Sequence, residues 1–62
     1  DAGEPADERT QRAAQKRLEV ALRTLNRDRD RGIRALERLI EDLPNTTAAA
    51  EAREKLDQLD EE

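Results

Sequence analysis

Arginines fall at alternate positions in Arg27, Arg29 and Arg31, with Arg23, Arg34 and Arg38 close by. Such a run offers guanidinium groups to phosphates or to acidic peptides. Asp28 and Asp30 interrupt it, no aromatic residue is present to stack on bases, and the chain as a whole carries −4. Nucleic acid is therefore disfavoured as a partner. An ion-paired, solvated turn fits the run better.

Two acidic groups, Glu37, Glu41 and Asp42, and Asp57, Asp60 and Glu61, have the hard oxygen donors a Ca²⁺ ion takes. Neither lies in a loop with alternating ligands and a central glycine, so a polar helix face or a fraying end is expected, with no metal site. Catalysis finds less still. His, Cys, Tyr and Ser are all absent. Thr10, Thr24, Thr46 and Thr47 have no base beside them to activate a hydroxyl, and carboxylate pairs are expected only on exposed helix faces, which do not suit general acid–base work. The expectation is a protein that is not an enzyme and needs no cofactor.

The elements that would position these residues are all helical. In the first, Ala14, Leu18, Ala21 and Leu25 recur at steps of 4, 3 and 4, widened by Ala13, Val20 and Leu22. In the second, Ile33, Leu36, Ile40 and Leu43 recur at steps of 3, 4 and 3, broadened by Ala35 and Leu39. As the most apolar helix, it should lie between two neighbours. In the third, Ala49, Ala52, Leu56 and Leu59 repeat the spacing. The spacing predicts helices over about 6–26, 32–43 and 47–60, after a flexible leader over 1–5. Pro5 suits a first turn, with Asp7 as an alternative N-cap. A turn is expected over 26–31, where no apolar residue falls, with Asp28 or Asp30 capping the next helix. One unbroken helix over 7–43 is the competing reading. Pro44 ends the second helix, and Asn45 or a following threonine caps the third.

At 62 residues there is room for one small domain. Cores of this size supply only about 3–5 kcal/mol, so oligomerisation or neighbouring segments are the expected supplement. Zero cysteine excludes a disulfide framework. No apolar run approaches the roughly 18 residues a membrane-spanning helix needs, and no signal peptide is visible. A start at Asp1 rather than Met fits a processed product or an excised piece. Charge is unevenly spread: 9–38 carries ten bases against four acids, whereas 39–62 carries two bases against eight acids. The first and last helices can thus attract each other, within a chain or between chains.

The stretch from Leu36 to Leu56, LERLIEDLPNTTAAAEAREKL, resembles the tetratricopeptide repeat superfamily, in its divergent bacterial type. The matching residues are small Gly32, large Leu36, Leu39 and the turn residue Pro44, at steps of 4, 3 and 5. Upstream, Leu18, Ala21, Leu22 and Leu25 fit the apolar pattern of a repeat's first helix. Fitting both halves requires a turn at 26–31 about two residues longer than the family's. The resemblance covers Leu18 to Leu59, roughly one and a half repeats, against the three or so that usually stand alone. It implies a bacterial protein- or peptide-binding scaffold. Its ligand-facing surface would include Lys16, Glu19, Arg23, Asn26 and Arg27.

Val20 and Leu39 fall off the central seams and are candidates for an exposed apolar patch or interface. Val20 therefore joins the five residues above as a partner-binding candidate. The core or interface residues are expected to be Leu18, Ala21, Leu22, Leu25, Ile33, Leu36, Leu39, Ile40, Leu43, Ala49, Ala52, Leu56 and Leu59. Together these readings predict an all-α helical hairpin or three-helix bundle, TPR-like, that binds a protein or peptide partner. The runner-up is a homo-oligomerising hairpin that pairs into a bundle.

Overall fold

A computed structural model of the chain describes residues 7–61, and the leader expected over 1–5 lies outside them. Three helices follow one another: α1 (Glu8–Arg27), α2 (Arg29–Asp42) and α3 (Thr47–Asp60). The protein is an all-α three-helix bundle, 33 × 20 × 13 Å in extent. The long axis matches a helix of 20 residues rising 1.5 Å per residue.

Each helix starts on a side-chain cap. The Asp7 carboxylate accepts from the Thr10 N–H at 2.8 Å. That bond, and a further one from the Thr10 side chain, hold its pKa below the usual aspartate value. Asp28 does double duty. Its own N–H donates to the Thr24 carbonyl at 2.7 Å, closing α1, while its carboxylate accepts from the Arg31 N–H at 3.3 Å, opening α2. Its backbone is extended, at φ −147° and ψ 106°. That conformation breaks the helix, so the unbroken helix over 7–43 is excluded.

The turn expected over 26–31 is therefore a correction. It shrinks to Asp28 alone, and α2 begins at Arg29 rather than near 32. The physical reason lies in the charges. Arg27 sits at the negative end of α1, and Asp30 at the positive end of α2. Both placements favour continued helix, and Asp28 supplies the cap. The apparent low-complexity run is thus the capping chemistry of two abutting helices.

Four cross-helix contacts define the topology. Gly32 meets Leu25 at the α1–α2 junction. Arg17 pairs with Asp42 at 3.1 Å across the same two helices. Arg29 donates to the Leu59 carbonyl at 3.3 Å, and Gln11 accepts from the Thr47 N–H at 2.9 Å. Successive helices are therefore antiparallel, and α1 and α3 run the same way.

The buried core is Ala14, Leu18, Ala21, Leu36, Leu39, Ala48, Ala49 and Ala52. Leu22, Leu25, Ala35, Ile40, Leu43 and Leu56 pack half-buried around it. Leu39, named among the core residues but also as off the seam and a candidate for an exposed patch, is fully buried, which bears out the first reading and corrects the second. A helix with neighbours on two sides buries two stripes, and Leu39 belongs to the second. Ile33 and Leu59, expected in the core, are only half-buried. Small residues permit close approach. A Cβ on Gly32 would overlap the Leu25 Cα and come within 2.6 Å of its Cβ and nitrogen. No described residue has positive φ, so Gly32 serves space rather than backbone freedom.

Candidate functional site

The apolar face of α1 is turned inward through Ala14, Leu18 and Ala21, which leaves the opposite face to solvent. Lys16, Val20, Arg23 and Arg27 are spaced 4, 3 and 4 apart, so they share one side of the helix. All four are exposed, as are Glu19 and Asn26. Val20, at 53 % exposure, is the one large hydrophobic side chain exposed among the described residues. Nothing in the fold requires it there. A β-branched residue on a solvated helix face gains no burial and costs some helix propensity.

Val20 borders two hollows. One is a shallow groove of about 570 Å³ between α1 and α2, floored by Ala13, Ala21 and Ala35 and edged by Lys16, Arg17 and Arg38. The other, about 560 Å³, runs towards the end of α1 and is lined by Arg23, Thr24, Asn26 and Arg27. Both linings contain cations and no carboxylate. Asp42 pairs with two of these cations, its Oδ2 lying 3.1 Å from Arg17 Nη2 and 3.7 Å from Arg38 Nε. These pairs are exposed and contribute at most about 1 kcal/mol each. Their effect is to hold two guanidinium groups at the groove's edge. Lys16, Arg23 and Arg27 make no ion pair among the described residues.

Of the partner-binding residues named from the sequence, Lys16, Val20, Arg23, Asn26 and Arg27 are brought around these hollows, whereas Glu19 lines neither. Arg17, Ala35 and Arg38 were not anticipated there. Ala35 and Arg38 reach the groove only through the register of α1 on α2, which Gly32 fixes and which no single-helix pattern encodes. Ala13 carried a signal, as an apolar residue just outside the inward stripe.

Two of the threonine hydroxyls, those of Thr24 and Thr46, are spent on backbone. Thr24 Oγ1 donates to the Val20 carbonyl at 2.9 Å. Thr46, 4 % exposed, donates to the Leu43 carbonyl at 2.7 Å and accepts from the Ala49 N–H at 3.1 Å. Among the described residues, no three carboxylates come together as metal ligands, and no helix is long and apolar enough to cross a membrane. Against family models, curated proteins and solved structures alike, the chain finds no match.

Proposed function

We propose that this chain is a non-catalytic protein-interaction module, TPR-like, that docks a protein or peptide partner on the outer face of α1. The observation that carries the reading is Val20, an exposed apolar side chain ringed by Lys16, Arg23 and Arg27 and bordering a groove with two more cations on its edge. An apolar anchor inside a charged rim is the usual anatomy of a docking patch. The rim's sign selects an acidic partner segment. The tetratricopeptide-like part of the reading rests on the spacing of Gly32, Leu36, Leu39 and Pro44. The Thr24 and Thr46 hydroxyls, engaged with backbone, support the non-catalytic reading.

A titration of ¹⁵N-labelled chain with a blocked acidic peptide, one leucine flanked by glutamates, tests the reading. Amide shifts concentrated on α1 from Lys16 to Arg27, and weakened by salt, are the expected result. Shifts scattered over the surface, or none, would remove the α1 face as a docking site. The second reading, self-association, is favoured by a second groove, on the α2–α3 side of the bundle.

A further inference from the structure

That second groove lies between α2 and α3 and measures about 430 Å³. Its apolar lining is Ile33, Leu56 and Leu59, all half-buried. In a chain so short of large aliphatic residues, three of them left half-covered in one place is a substantial share of the apolar supply. The rim carries Glu37, Asp57 and Asp60. Arg29 stands at one end, engaged with the Leu59 carbonyl. The surface around Val20 and the α2–α3 groove therefore differ in sign. One presents the exposed Val20 side chain among cations, the other three half-buried aliphatic side chains among carboxylates.

We propose that the α1 face of one copy docks into the α2–α3 groove of a second copy, so that the chain associates head to tail. This rests on the reading of α1's outer face as a docking surface and names its partner. Charge decides between the ways two copies could meet. Face-to-face pairing through Val20 would set cations against cations, and groove-to-groove pairing would set carboxylates against carboxylates. Only the heterologous arrangement matches apolar to apolar and sign to sign.

Two consequences follow from the geometry. A heterologous contact that does not close lets mass grow beyond a dimer. The contact is also electrostatic at its rim, so the association is salt-sensitive.

Sedimentation equilibrium over about a hundredfold concentration range, at low salt and at about 0.5 M salt, reads this directly. Interference optics are needed because the chain has no Trp or Tyr. The average mass should climb above 7.1 kDa with concentration at low salt and return to 7.1 kDa at high salt. Two surface variants, each checked for parental helicity by circular dichroism, separate the faces. Val20→Gln keeps only the α2–α3 groove, and Asp57→Asn with Asp60→Asn keeps only the α1 face. Each alone should remain at the monomer mass, and their equimolar mixture should rise to a pair and no further. A constant monomer mass for the parent chain overturns the proposal. So does self-association of either variant at the parental level, or a mixture that stays monomeric. Peptide binding at α1 without self-association removes this inference alone and leaves the docking face standing.

Discussion

The two hairpins that share α2 are built on different terms. At the α1–α2 junction one exposed residue, Asp28, caps both helices, and Gly32 lets the helices close to backbone contact. At the α2–α3 junction Leu43 to Thr46 form a longer link, and its capping threonine is buried. The first hairpin is held by space, the second by a dry hydrogen-bond pair and a run of small residues, Ala48, Ala49 and Ala52. Their outer surfaces differ too, basic beside α1 and acidic beside α3. Folding has used the inner face of each hairpin and left the outer faces free to differ in charge.

Substitutions that strike one hairpin, both or neither sharpen this contrast. The largest effect is expected at Leu36, fully buried in the helix both hairpins share. Leu36→Asp places an unpaired charge there and should abolish the circular dichroism of helix; retained helicity at the parental melting temperature would show that the core is elsewhere. Gly32→Ala comes next. Alanine gains about 1 kcal/mol of helix propensity, but its methyl meets the Leu25 backbone, which cannot rotate away. Overpacking of this kind costs about 1–3 kcal/mol or more, so the net effect in a urea melt should be a loss. A stabilised variant would mean that α1 and α2 are further apart than described.

The caps come third and set junction against junction. Thr46→Ala leaves the Ala49 N–H without its cap in a buried place, while the Leu43 carbonyl keeps the Thr46 backbone N–H, at a cost of about 1–2 kcal/mol. Asp28→Ala removes an exposed cap that water can partly replace, so its cost should be the smaller of the two. Equal losses in parallel melts would break the contrast. The smallest effect is electrostatic. Bonds from the Thr10 N–H and side chain lower the Asp7 pKa, so its capping contribution is complete above the unfolded-state value and fades as pH falls through the lower folded-state value. A ¹³C titration of the Asp7 carboxyl group should give a midpoint below the usual aspartate value of about 3.9. A midpoint at or above that value would mean that the cap is not formed.

Much of this was legible in the sequence because periodicity reports local burial. The steps of 3 and 4 through Leu18, Leu36 and Ala52 mark inward faces whatever the partner helix is. Pro44 likewise marks the end of α2 by backbone sterics alone. Legibility failed where two helices act together. The break at Asp28 was blurred over 26–31 because arginines and aspartates there suit helix ends as well as turns. Leu39 appeared surplus to one stripe until α2 acquired two neighbours. The groove around Val20 was half visible. The α1 residues share a helical face and could be grouped from spacing, whereas Ala35 and Arg38 join it only through the close approach at Gly32.

The central claim is that α1 separates its work by face, the inward side folding the bundle and the outward side docking a partner. Thermal unfolding of Val20→Gln, followed by circular dichroism, tests that separation most directly. An exposed side chain that supports no packing should leave stability within about 0.5 kcal/mol of the parent. A loss approaching that of Leu36→Asp would contradict the claim, because Val20 would then belong to the core and α1 would have no outward face to offer.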